Sequence, residues 1–128
     1  MSGLRVGVLY GGFSNERDVS LRTGTAIFDA LVSLGHRPVL IDVNDTLVDA
    51  LSAADVEVCY NALHGSFGED GQLQSILDFL KMPYTGENQR TSLIAFDKML
   101  SKLVYEAANI TTPKWISLTP EVSNSEIQ

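Results

Sequence analysis

The stretch "YGGFSNERDVSL", Tyr10 to Leu21, sets a carboxylate, a guanidinium and a second carboxylate in successive positions, Glu16, Arg17 and Asp18, inside a glycine-opened turn. A plain connection needs no such cluster, so the choice lies between a solvated loop and one that holds a ligand. A fixed carboxylate suits an ammonium group, and Arg17 either faces water or braces Glu16 through a charge-assisted bond. A second polar loop, "HGSFGEDG", places His64 before Gly65, Gly68 and Gly71. Glycines at every third position allow positive φ and close approach of backbone to a ligand; the other reading is a tight loop with nothing bound. Asp70 stands where an N-cap would precede the helical run "GQLQSIL". His36, in "LGHRPV", lacks such surroundings and reads as a surface turn residue. Lys98, in "FDKMLSK", reads on its own as an ordinary exposed helix lysine.

Other chemistries are excluded by what the chain lacks. Neither loop carries G-x-x-x-x-G-K-[ST], and Gly11-Gly12 has no third glycine to complete G-x-G-x-x-G. No Ser/His/Asp set is legible, and no cysteine or histidine spacing suits a metal. The single cysteine, Cys59, has no partner for an internal disulfide and sits in the apolar run "VEVCYNAL", which implies a reducing compartment and a buried, inert thiol. A net charge of −7 argues against nucleic acid as the main partner, because phosphate binding needs a basic face. No stretch approaches the ~20 apolar residues of a membrane span, and the N-terminus shows no signal-peptide pattern. The expectation is a cytoplasmic protein.

The elements that must position the two loops follow from the apolar patterning. With 128 residues and 45% hydrophobic content the chain suits one domain with a proper core. "LRVGVLY" (Leu4 to Tyr10) reads as a buried strand. A helix is predicted from Ser20 to Leu34, with Ile27, Leu31 and Leu34 on one face, Ser20 or Asp18 as cap and Gly35 at its end. "PVLID" is a second strand, "TLVDALSAA" a short helix, and Val56 to Leu63 a third strand. Leu73, Ile76, Leu77 and Leu80 mark one face of a further helix, and "MPYTG" a brief fourth strand. A long helix is predicted from about Thr91 to Ala108, with Leu93, Phe96, Leu100, Leu103 and Ala107 facing inward. Alternation at this rhythm means βαβ units: an α/β fold, a small doubly wound parallel sheet, with strand order 2-1-3-4 expected. Ligands of such sheets bind beyond the carboxyl ends of the strands where the order reverses. Strands one and three are then neighbours, and Glu16 and His64 face one another across a single crevice. The helix after the first loop is expected to turn free N–H groups near Val19 toward the same place.

Taken in order and at their spacing, "VGVLYGGFSNERDVSL", "NALHGSFGEDGQLQ", "PYTG" and "AFDKMLSK" closely resemble the N-terminal domain of the D-alanine–D-alanine ligases, ATP-grasp enzymes of peptidoglycan precursor synthesis. The match runs from Val6 to about Leu118. It implies a pre-ATP-grasp, Rossmann-like domain in which Glu16 helps hold the ammonium of the first D-alanine. His64 would lie near that substrate's carboxylate, Val19 and Ser20 would contribute to the substrate site, and Lys98 would reach the phosphates of ATP. The implied reaction joins two D-alanines through an acylphosphate, with ATP and Mg²⁺ as cofactors and D-alanine as substrate. The metal ligands would lie in domains beyond this chain, and the resemblance admits a homodimer. The NERDVSL loop looks closer to dipeptide-forming than to depsipeptide ligases. One departure is "ENQRTSL" (Glu87 to Leu93), which replaces a stretch mostly small and apolar in the family.

Residues 1–110 are thus expected to form the substrate-side domain. Residues 111–128 hold a candidate strand, "TTPKWISL", and a polar tail, read as the start of a further domain or as a frayed end. On this reading the isolated chain would be inactive. Two rivals accompany it: a stand-alone binding or interaction module of the same fold, and a nucleotide-binding domain of another ATP-grasp enzyme.

Overall fold

The computed structural model describes residues 3–118. Three parallel strands, β1 (Arg5–Gly11), β2 (Arg37–Val43) and β3 (Val58–Asn61), lie in the order β2-β1-β3. Helix α1 (Arg17–Ser33) connects the first two, α2 (Leu47–Ala54) connects β2 to β3, and α3 (Gln72–Phe79), α4 (Gln89–Phe96) and α5 (Lys98–Ala107) follow. Parallel strands need crossover connections, and the helices that make them cover both faces of the sheet.

β1 is central and buried from Val6 to Leu9. Leu9 joins Ile41, Val43 and Cys59 from the sheet, Leu47 and Leu51 from α2, and Leu73 and Leu77 from α3 in one apolar cluster. The opposite face is closed by α1, whose Gly24 lies against Tyr10: a Cβ there would stand 2.5 Å from the Tyr10 Cβ, so only glycine lets this helix approach so closely.

The fourth strand expected at "MPYTG" is reduced to one parallel bridge between Cys59 and Tyr84, with Cys59 N–H donating to the Pro83 carbonyl and Thr85 N–H to the Cys59 carbonyl. The order 2-1-3-4 is therefore 2-1-3 with a rudiment beyond β3. β3 itself is shorter than the apolar run suggests, because Ala62 and Leu63 are buried in the turn that leaves it. Further expectations are corrected. α1 begins at Arg17, with Glu16 at the cap position, so neither Asp18 nor Ser20 caps it; Ser20 is fully buried inside the helix.

The long final helix is two helices. Asp97 takes an extended ψ of 109° and its side chain accepts the Leu100 N–H, restarting the helix, while Ser101 Oγ donates to the Ile94 carbonyl across the break. Its supposed inward face is open: Leu93, Phe96 and Leu103 are close to half exposed, and α5 buries no residue. Thr111 to Leu118 forms no strand. It is tied alongside α5 by Lys102 Nζ donating to Thr112 Oγ1 and by Trp115 Nε1 donating to Glu106. The polar tail expected from Thr119 lies outside the described residues.

Candidate functional site

The loops that leave β1 and β3 emerge side by side, because these strands pair in parallel with Leu9 opposite Asn61. The connection from β1 runs to β2 on one side and that from β2 returns to β3 on the other, so the crevice between the two loops is the topological switch point. Ser14 stitches the loops together: its hydroxyl donates to the His64 carbonyl at 2.6 Å and accepts the Glu16 N–H at 3.1 Å. The Glu16 carboxylate lies over Gly65, where a Cβ would sit 2.5 Å from Oε2; at φ +74° this position is suited to glycine twice over. Glu16 thus reaches the residue next to His64. The two loops read from the sequence as leaving neighbouring strands do adjoin.

His64 is held from both sides. Its Nε2 lies 3.0 Å from Thr23 Oγ1 on α1, and its Nδ1 lies 3.8 Å from Glu69. Glu69 in turn accepts the Gly65 N–H at 2.9 Å. Further along the loop, Phe67 takes φ +71°, an uncommon conformation for a bulky residue. Asp70 fixes it by accepting the Phe67 N–H, and the Phe67 ring meets Phe13 edge-on at 5.5 Å, an aromatic contact between the two loops. Asp70 also accepts the Gln72 N–H, but it stands one residue ahead of the cap, which is Gly71. Partial burial works to raise the Asp70 carboxyl, yet the backbone N–H bonds from Phe67 and Gln72 and the Gln72 side chain hold it below its ordinary value. Asn61 and buried Gln74 both donate to the Gly68 carbonyl at 2.8 Å, pinning the loop from beneath.

The remaining sequence candidates fall in distinct places. Ser20 hydroxyl accepts the Gly11 N–H and donates to the Ala62 carbonyl, so it locks the ends of β1 and β3 to α1 and offers nothing outward. The N–H groups of Val19 and Ser20 both donate to the Glu16 carbonyl, so they are not free as expected; the Val19 side chain is exposed. Arg17 does not brace Glu16. It forms a two-bond pair with Asp42, at the end of β2. Lys98 is exposed at the first position of α5, near Lys102 and Trp115, and among the described residues no hydrogen bond or ion pair joins it to either loop. His36 is more than a turn residue, since its Nδ1 accepts the Leu4 N–H at 3.2 Å. Cys59 is fully buried, and burial pushes its thiol up to about 11. A hollow of about 380 Å³ beside the second loop is lined by Asn61, Glu69, Gln74, Glu87 and Ser92, but by neither Glu16 nor His64.

Sequence reasoning missed Ser14, Thr23, Asp42 and Glu69 as partners. Each is an ordinary polar residue whose importance comes from a contact 25 to 50 positions away, or from a loop closing on itself.

Residues 45–87 match the family model described as "D-ala D-ala ligase N-terminus". A D-alanine–D-alanine ligase of Magnetococcus marinus is 49% identical over 89% of this chain and 37% of its own length. That of Carboxydothermus hydrogenoformans is 40% identical over 91% of this chain and 37% of its own. The chain therefore spans little more than a third of these relatives. Among solved structures, the D-alanine–D-alanine ligase of Bacillus anthracis complexed with ATP superposes with a TM-score of 0.85 at 36% identity, covering 98% of this chain and 44% of that one. Similar in sequence over most of its length and in fold over nearly all of it, the chain is a counterpart of the N-terminal part of the D-alanine–D-alanine ligases.

Proposed function

We propose that the chain is the substrate-side domain of an ATP-dependent ligase that joins two D-alanines for peptidoglycan precursors, acting in the cytoplasm. The observation that carries this reading is the joining of the Glu16 and His64 loops, through Ser14 and Gly65, at the switch point of the sheet. When bound, ATP supplies the phosphoryl group that activates the first D-alanine's carboxylate for attack by the second one's amine. The chain's own residues bind and orient. Glu16, exposed and held against Gly65, takes the first substrate's ammonium in a charge-assisted bond. His64 faces that substrate's carboxylate, Val19 lines the crevice, and Ser20 fixes the two strand ends from which the loops depart.

Lys98 is the residue here suited to meet the ATP phosphates, as an exposed cation at a helix start. Mg²⁺ finds no fit among the described residues, which bring no three His, Cys, Asp or Glu side chains together. Lysine and metal would neutralise charge while the crevice supplies position, the division of labour expected for phosphoryl transfer. No helix among the described residues is long and apolar enough to cross a membrane. Preference for D-alanine as second substrate, and assembly as a homodimer, belong to the same proposal.

The test is steady-state kinetics on the full-length protein. Because Glu16 is proposed both to bind the ammonium and to align reacting atoms, Glu16→Gln is expected to raise KM and lower kcat, losing on the order of 10²-fold in kcat/KM for D-alanine. A well-folded variant with near-wild-type kcat/KM would return the loop to solvent.

A further inference from the structure

Thr23 lies one turn beyond Val19 on α1, with its hydroxyl oxygen 3.0 Å from His64 Nε2 and 3.0 Å from the Val19 carbonyl oxygen. A hydroxyl carries one proton, and a carbonyl only accepts. Both contacts are hydrogen bonds only when Thr23 donates to Val19 and His64 donates from Nε2. The other ring nitrogen faces Glu69 at 3.8 Å, beyond hydrogen-bond length. That side chain is 50% exposed, so solvent screens its pull on a ring proton. The carboxylate is also engaged, through Oε2, with the Gly65 N–H. Thr23 and Glu69 therefore compete to place the single N–H of a neutral imidazole, and Thr23 is the nearer.

We propose that Thr23 is a positioning residue that fixes His64 in the tautomer protonated on Nε2, and so makes Nδ1 the ring atom offered to a ligand in the crevice. Nε2 is turned against α1 and occupied. Nδ1, on the side of Gly65 and Glu69, accepts an N–H or O–H while the ring is neutral and donates to a carboxylate once it is protonated. The functional meaning rests on the crevice being the D-alanine site, whereas the tautomer itself does not.

The experiment is a long-range ¹H–¹⁵N correlation of the imidazole rings in the ¹⁵N-labelled 128-residue chain, at a pH where the rings are neutral. His64 is expected as Nε2–H. Thr23→Val is expected to move the population several-fold toward Nδ1–H, the form that Glu69 favours, and Thr23→Ser to restore the wild-type pattern. Thr23→Ala, which keeps good helix propensity, carries the same expectation as Thr23→Val and guards against misfolding. His36 is the internal reference, since its Nδ1 accepts the Leu4 N–H and it should stay Nε2–H throughout. An Nδ1–H wild type, or a pattern unmoved by Thr23→Val and Thr23→Ala, would overturn the proposal. No step involves D-alanine, so failure here is separate from failure of the Glu16→Gln kinetics.

Discussion

The Arg17 guanidinium meets Asp42 through two bonds, of 2.7 and 2.5 Å, and thereby ties the first turn of α1 to the end of β2. The Arg17 bond is the main reason the Asp42 carboxyl lies below its ordinary value; burial opposes it, while the arginine charge and the Gly12 backbone N–H reinforce it. A carboxyl whose folded pKa is depressed contributes stability that is complete above its unfolded value and is lost as pH falls through the folded one. The pair should therefore steepen acid unfolding below the ordinary carboxylate range. Both side chains are more than a third exposed, at 44% and 38%, so the contribution is small and sensitive to salt. Asp42→Asn is expected to unfold at lower temperature near neutral pH and to show a flatter acid decline. Thermal unfolding over a pH series checks this, and coincident curves for variant and wild type would count against it.

At the scale of the elements, the break between α4 and α5 is the place where an apolar period misleads. Leu93, Phe96, Leu100 and Leu103 keep helical spacing straight through Asp97, and periodicity alone does not distinguish a continuous helix from one that restarts. The deciding groups are local: Asp97 accepts the Leu100 N–H, as Asn88 accepts the Thr91 N–H at the start of α4. Removing such a cap costs about 1 kcal/mol, so Asp97→Ala should lower the urea midpoint accordingly, without a change in m-value. By contrast the two site loops were legible, since glycines, a histidine and a carboxylate cluster at the ends of apolar runs can be read locally. Their internal wiring was not. Ser14 reaches His64, and Arg17 reaches Asp42, only after the parallel sheet has brought distant segments together. The fourth strand failed for a related reason: an edge segment is defined by how far its neighbour extends, and β3 ends at Asn61.

For the molecule as a whole, a chain spanning little more than a third of its relatives should not complete the reaction proposed for them. Phosphate release from ATP in the presence of D-alanine and Mg²⁺ is expected to stay at the blank; release above it would show that the chain supplies metal and phosphate sites of its own. A different consequence follows from Cys59, which sits fully buried in β3 with its thiol pushed up to about 11. A reagent such as iodoacetamide needs the thiolate and a path to it. The thiolate is scarce near neutral pH, and no path exists until the packing of α2 and α3 over β3 opens. The lone cysteine is therefore a clock for the opening of the core over β3, needing no introduced label. When opening and closing are fast relative to alkylation, the labelling rate reports the free energy of opening, and that free energy should fall in step with global stability across a urea series. A thiol labelled at the rate of a free cysteine in native buffer would mean that the sheet opens locally, long before the domain unfolds.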